Sequence, residues 1–140
     1  MTAWKITDDF LKMVCMDEEV KEMDDGIQTL VGNGGVRLSG GQGKRLALAR
    51  TLCHKKPVLI LDDPFSALDK STERQIFANL KEQSRESIVL LISHRLYLFP
   101  QMDQIIWMED GKTVVGTHEE LLARVPEYQK LFTEEGGSAK

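Results

Sequence analysis

The sequence has little cysteine, no long apolar run and no basic stretch. Cys15 and Cys53 are its two cysteines and lack metal-ligand spacing, which favours a reducing cytosolic compartment over a disulfide framework. No apolar run approaches the roughly 18–20 residues of a membrane span and no signal-peptide pattern is present, so we expect a soluble chain. With a formal net charge of −4 and no basic patch, nucleic acid is not an expected partner. What remains is one small globular domain of 140 residues.

Two unbroken apolar runs dominate the middle of the chain. Residues 58–61 and 88–92 have the composition of parallel strands that are covered on both faces. Between them we predict a helix that buries Ile76, Phe77 and Leu80. Strand, helix and strand in this order predict a βαβ unit in an α/β fold.

Local signals predict elements on either side of this unit. Residues 7–23 read as one or two short helices, with Thr7 and Asp17 as N-caps, and residues 24–38 as an irregular loop. Asp110-Gly111 between two short apolar segments predicts a hairpin, in which Trp107 is expected to pack. A capping box then opens a last helix at Thr117, with Glu120 as its third residue.

Acidic residues and a histidine follow the two predicted strands. Asp62 and Asp63 come after the first strand, and His94 comes after the second. Ligands bind outside the carboxyl ends of the strands in open α/β sheets, so we expect these three side chains to converge on one edge. The alternative is that each is a loop residue that caps a strand.

A serine and two glycines begin a predicted helix that runs to about residue 54. Ser39 is its expected N-cap, and a helix start with free N–H groups and a partial positive charge can hold an anion. Gly40 and Gly41 leave room for a phosphate, and Gln42 completes the segment. The alternative is a simple serine cap with glycines for the turn.

Other polar residues are expected on the surface. His54 and His118 have no metal-ligand companions, and both are predicted to be surface residues. Lys44 and Arg45 are predicted to form a solvated helix face, although either could approach a phosphate.

Taken in order, the segments LSGGQ, ALAR, VLILDD, SALD and ISH resemble the ATP-binding-cassette (ABC) family, over about Thr7 to Phe132. The resemblance implies a partial P-loop NTPase (RecA-like) core with the remainder of the ABC helical subdomain. It assigns residues 1–55 to that subdomain, 56–132 to the C-terminal part of the core and 133–140 to a flexible tail.

The resemblance also implies a role for each motif. Residues 38–42 look like the signature motif, which in this family binds the γ-phosphate of an ATP held by the opposite subunit. Residues 66–69, which end at Asp69, look like the D-loop, which crosses the dimer interface. Asp62 looks like the Walker B aspartate that holds Mg²⁺ through water, Asp63 occupies the place of the catalytic carboxylate, and His94 looks like the switch histidine.

Two segments resemble exporters in particular: TLVGNGG at 29–35, which in exporters faces the transmembrane domains, and GTHEELL at 116–122. The implied partners are a second nucleotide-binding domain, identical or different, and transmembrane domains, at the cytoplasmic face of a membrane. The rival interpretations are a soluble DNA-repair or translation ATPase of the same superfamily, and a regulatory module without catalysis.

Two features depart from the family. Neither Gly43-Lys44 nor Gly111-Lys112 fits the phosphate-binding pattern G-x-x-x-x-G-K-[ST], so we expect the isolated chain neither to bind ATP tightly nor to hydrolyse it. An uncovered edge on the Walker B strand would favour self-association. Asp63 stands where most active members have glutamate, which resembles the degenerate site of a heterodimeric exporter; the alternative is that aspartate is an adequate base here.

Overall fold

The computed structural model describes residues 8–54, 56–83 and 86–136. Contacts divide the chain into two compact units, Met1–Ile92 and Ser93–Lys140. This division by contacts falls later than residue 55, where the resemblance places the end of the helical subdomain. The assignment of residues 1–55 to the helical subdomain therefore stays a prediction.

The first unit opens with helices. Its elements here are α1 (Asp8–Met13), α2 (Asp17–Lys21), a 3-10 helix (Gly26–Gln28) and α3 (Gly40–Leu52). Thr7 lies outside the described residues, and the N-cap of α2 is Met16, so the prediction of Asp17 as a cap is wrong by one residue. Val14 and Met16 are fully buried, and Ala49 of α3 is buried as well.

A βαβ unit follows, as predicted. Strand β1 (Val58–Asp62) pairs in parallel with β2 (Ile88–Ile92), with Asp62 opposite Ile92, and α4 (Lys70–Gln83) connects them. The buried positions of α4 include all three that its periodicity predicted, namely Ile76, Phe77 and Leu80. The side-chain amide of Asn79 donates to the carbonyl of Met13, 2.9 Å away, and thereby links α4 to α1.

The two-stranded sheet is covered on one face only, so the prediction of burial on both faces is wrong. Leu59 and Leu61 are buried, whereas Val58 and Ile60, whose side chains point the other way, are 51% and 64% exposed. Ile88 of β2 is 69% exposed on the same side as Val58. In the described part of the chain, the helices bury one side of the sheet and leave an apolar face open.

The second unit contains a 3-10 helix (Leu96–Gln101), β3 (Ile105–Glu109), β4 (Lys112–Gly116), α5 (His118–Arg124) and α6 (Pro126–Gly136). The hairpin prediction is confirmed: β3 and β4 pair antiparallel, and Asp110 and Gly111 both have positive φ, as a two-residue turn requires. The capping box of Thr117 and Glu120 is also present. Helix α6 continues to Gly136, and residues 137–140 of the predicted tail lie outside the described residues.

Tyr128 is the centre of the second unit's core. It is fully buried beside Ile105, Leu121 and Val125. Trp107 packs edge-on against its ring at 5.5 Å, which confirms the packing role predicted for the tryptophan. The prediction of His118 as a surface residue is wrong, because its ring is half-buried against Tyr128 and its Nδ1 lies 2.8 Å from the tyrosine hydroxyl.

Candidate functional site

The start of α3 is organised by a reciprocal pair of hydrogen bonds. Ser39 is the N-cap, and its Oγ accepts from the backbone N–H of Gln42 at 3.2 Å. The side-chain Oε1 of Gln42 accepts in return from the backbone N–H of Ser39 at 2.8 Å. The sequence predicted the cap but not this capping box, although the serine-to-glutamine spacing of three residues was its signal.

A loop between β1 and α4 lies directly against this helix start. A Cβ placed on Gly41 would stand 3.0 Å from the carbonyl oxygen of Ala67 and 3.4 Å from Leu68. Glycine therefore allows an approach that any larger residue would obstruct. The structure thus brings the LSGGQ segment and residues 66–69 together within one unit.

Asp69 ends this loop and caps α4. One carboxylate oxygen, Oδ1, accepts from the backbone N–H groups of Ser71 and Thr72, each at 3.0 Å. The pKa of the Asp69 carboxyl is lowered from its usual value, and hydrogen bonds from Thr72 make the largest contribution to this shift. A structural role as a helix cap thus accompanies any role of Asp69 in binding.

The two acids predicted at the carboxyl end of β1 lie there. Asp62 is the last residue of the strand and is exposed, and Asp63 follows it half-buried. The backbone N–H of Asp63 donates to the carbonyl of Ile92, 2.8 Å away. Its φ of 43° lies in the left-handed region, which aspartate adopts more readily than most residues. Backbone conformation therefore gives aspartate a structural advantage at this position.

The donor set fits a sparsely ligated Mg²⁺ ion. No group of three or more acidic, cysteine or histidine side chains that could hold a metal occurs in residues 8–54, 56–83 and 86–136. A single exposed carboxylate, Asp62, suits Mg²⁺, which keeps most of its waters. His94 is exposed, two residues after β2, and belongs to the second unit; its convergence with the acids stays a prediction.

A partly buried ion pair that involves the signature helix was missed by sequence analysis. The guanidinium of Arg45 is 2.6 Å from Glu19 Oε1 and also donates to the carbonyl of Cys15. The Arg45 side chain is only 11% exposed, so its assignment to a solvated face is wrong, whereas Lys44 is exposed as predicted. A pair 26 positions apart in sequence gives no local signal, and only the three-dimensional structure brings Glu19 of α2 to Arg45 of α3.

The glycine-rich segment 29–35 forms a tight, closed loop. The backbone N–H of Val36 donates to the carbonyl of Leu30 at 2.8 Å. A Cβ on Gly35 would stand 2.0 Å from that same oxygen, so glycine is required there. The loop leaves Leu30 68% exposed and lines one side of a cavity of about 830 Å³ whose other wall is α3.

Known proteins are similar to this chain in sequence. Residues 10–66 match the family model for ABC transporters. The ATP-dependent lipid A-core flippase of Salmonella typhimurium is 47% identical over 113 residues, which are 80% of this chain and 19% of the flippase. The glutathione/L-cysteine transport system ATP-binding/permease protein CydC of Escherichia coli is 46% identical over 109 residues, 77% of this chain and 19% of that protein.

The fold has a solved counterpart. A bacterial Atm1-family ABC exporter with ATP bound matches 96% of this chain and 23% of its own chain, with a TM-score of 0.83 and 29% sequence identity. The chain belongs to the ABC transporter family and has the fold of part of an exporter's P-loop ATPase domain. It spans about a fifth of the length of the curated relatives that it matches. Within the described ranges, no helix is both long and apolar enough to span a bilayer.

Proposed function

We propose that the chain is the C-terminal half of the ATP-hydrolysing domain of an ABC exporter. The observation that supports this most strongly is the contact of Gly41 with Ala67, because it joins the signature segment to the D-loop. In this family both segments act across a dimer of nucleotide-binding domains. The chain would supply the signature motif, Walker B, the D-loop and the switch histidine for ATP-driven transport.

Each predicted site residue has a role in this proposal. Ser39, Gly40, Gly41 and Gln42 present the N-terminus of α3 to the γ-phosphate of an ATP held by the partner domain, where backbone N–H groups favour an anion. Asp62 would hold Mg²⁺ through water, and the ion would neutralise phosphate charge.

The remaining roles concern water and the interface. Asp63 orients or deprotonates the attacking water, and His94 contacts the γ-phosphate. Asp69 contributes to the interface through the loop that it terminates.

The isolated chain is proposed to be inactive. The phosphate-binding pattern G-x-x-x-x-G-K-[ST] does not occur in its sequence. Phosphoryl transfer depends on positioning and on charge neutralisation, so a site without that loop binds ATP weakly and does not turn it over. The open apolar face and the unpaired edge of β1 in the described chain favour association of two copies through the sheet.

The partners in the complete assembly are a second nucleotide-binding domain and the transmembrane domains. The exposed apolar side chains of the loop at 29–36 support a docking surface for the latter, and the location that we propose is the cytoplasmic face of the membrane. Regulatory and non-transport roles are less well supported, because the sequence relatives named above are a flippase and a transport system.

Asp63 supports a second, finer proposal. The ATP site that contains this chain's own Walker B strand is degenerate and turns ATP over slowly. A carboxylate one methylene shorter than glutamate holds the attacking water about an ångström away from its best position, which costs on the order of 10²-fold in rate. The chain's own signature segment would then complete the productive site of a different partner domain.

ATP hydrolysis by the full transporter tests both proposals. Asp62→Asn should abolish hydrolysis at the site that contains it, and unchanged binding of Mg-ATP and unchanged turnover at that site would contradict the assignment. Asp63→Glu should raise turnover if the site is degenerate, and unchanged turnover would contradict the proposal of a degenerate site. Because the backbone at Asp63 is left-handed, the melting temperature of each variant is needed as a control for strain.

A further inference from the structure

The signature glutamine is held at both ends of its side chain. Gln42 Oε1 accepts from the backbone N–H of Ser39 at 2.8 Å, and Gln42 Nε2 donates to Glu19 Oε2 at 2.7 Å. A backbone N–H can only donate and a carboxylate can only accept, so these two partners allow one orientation of the amide and exclude its flipped form.

Glu19 is itself fixed from the other side. Its second oxygen, Oε1, pairs with Arg45 Nη2 at 2.6 Å, and Arg45 also donates through Nη1 to the carbonyl of Cys15. The carboxylate therefore bridges two side chains of α3, one turn apart, and connects them to α2. Charge-assisted bonds of this kind are shorter and stronger than neutral ones.

We propose that Glu19 is a positioning residue for the signature motif. Its carboxylate sets the Gln42 amide, which in turn fixes the N–H of Ser39 and the first turn of α3. The first turn is the part that presents N–H groups to phosphate, so loss of Glu19 would loosen those donors without removing any of them. This inference rests on the role of LSGGQ proposed above.

A double-mutant cycle in the full transporter tests the inference. Glu19→Ala should lower kcat for ATP by on the order of tenfold or more at saturating ATP. Gln42→Ala should have a similar effect, and the double variant should be no worse than either single variant, because both act through the same link. Glu19→Gln, which keeps one acceptor oxygen, should retain more activity than Glu19→Ala.

Glu18→Ala is the matched control, because Glu18 is exposed and pairs with Lys21 of its own helix at 2.6 Å. This variant should hydrolyse ATP like the wild type. Additive effects of Glu19→Ala and Gln42→Ala, or wild-type kcat in Glu19→Ala, would overturn the inference. Asp62→Asn, measured as Mg-ATP binding and turnover at the site that contains Asp62, separates the two levels: if it abolishes both while Glu19→Ala leaves total hydrolysis unchanged, only the positioning role fails. If Glu19→Ala has no effect and Asp62→Asn changes neither binding nor turnover at its own site, the proposed function fails as well.

A measurement without turnover applies to the chain itself. The side-chain NH₂ resonances of Gln42 should be resolved in an ¹⁵N-correlated NMR spectrum of the wild type and should move to the position of a free glutamine in Glu19→Ala. Glu18→Ala should leave them in place. Unmoved resonances in Glu19→Ala would show that Glu19 does not hold the amide.

Discussion

Gly41 of the signature segment lies against the carbonyl oxygen of Ala67, where a Cβ would stand 3.0 Å from the oxygen. Ala67 has a φ of 64°, so the loop reaches this contact with its backbone in the left-handed region. The glycine is consequently a packing requirement inside the chain as well as an opening for a phosphate. Mutational effects at Gly41 therefore combine the two causes.

A pair of glycine substitutions separates them. Gly41→Ala should destabilise the chain relative to Gly43→Ala by about 1–2 kcal/mol, because the added methyl group meets backbone at Gly41 and open space at Gly43. Gly43 lies in α3, so its replacement by alanine should raise stability by about 0.5–1 kcal/mol. Urea denaturation followed by circular dichroism measures both, and equal stabilities of the two variants would contradict the packing argument.

Asp69 should make the stability of the folded chain depend on pH in the acidic range. Hydrogen bonds from Thr72 lower the pKa of its carboxyl in the folded state, so its contribution is present above the ordinary value of 3.8 and is lost as the pH falls through the folded value. Asp69→Ala should lower the melting temperature at neutral pH, whereas Asp69→Asn should keep the cap. The difference between the wild type and Asp69→Ala should shrink in acid; a constant difference from neutral pH down to about pH 2 would show that the charge is irrelevant.

The phenol of Tyr128 should ionise only at a pH above that of an ordinary tyrosine. Burial, and secondarily the charge of Glu119, raises its pKa from the ordinary 10.0 to about 12. The neutral phenol is thus favoured by folding, and this stabilisation is complete below about pH 10 and is lost as the pH rises to about 12. Tyr128→Phe should remove the late phase from the absorbance titration at tyrosinate wavelengths and, by loss of the hydrogen bond to His118, cost about 1 kcal/mol. A late phase that survives in Tyr128→Phe would assign it to another group.

The open sheet face should control association of the isolated chain. Ile60 and Ile88 are 64% and 69% exposed, so Ile60→Thr with Ile88→Thr should reduce self-association at little cost in stability. Ile106→Thr, on the hairpin and also exposed, is the matched control. Size-exclusion chromatography with light scattering measures the mass; a wild-type chain that remains a clean monomer at high concentration would contradict the proposed association.

Local chemistry made much of the fold predictable. The βαβ unit, the hairpin turn at Asp110-Gly111 and the caps at Ser39 and Thr117 each depend on residues that are close in sequence. Periodicity likewise identified the buried face of α4, because a helix repeats at three and four residues.

The errors concern relations between distant segments. Arg45 looks like a solvated residue from its neighbours alone, and its burial depends on Glu19 of another helix. The apolar run at 58–61 indicates a strand with two apolar faces but cannot show which face is covered in this chain. The prediction for His118 is wrong for the same reason, since its partner Tyr128 lies on the next helix.

Titration of the isolated chain with Mg-ATP tests the central claim most directly, namely that this chain supplies a signature half-site and no phosphate cradle. Calorimetry should detect no saturable binding, and a phosphate-release assay should detect no turnover. Saturable binding with a Kd below about 10 µM, or turnover that is lost in Asp62→Asn, would contradict the account. That result would mean that phosphate is held without a P-loop, with exposed Lys44 as the first residue to test.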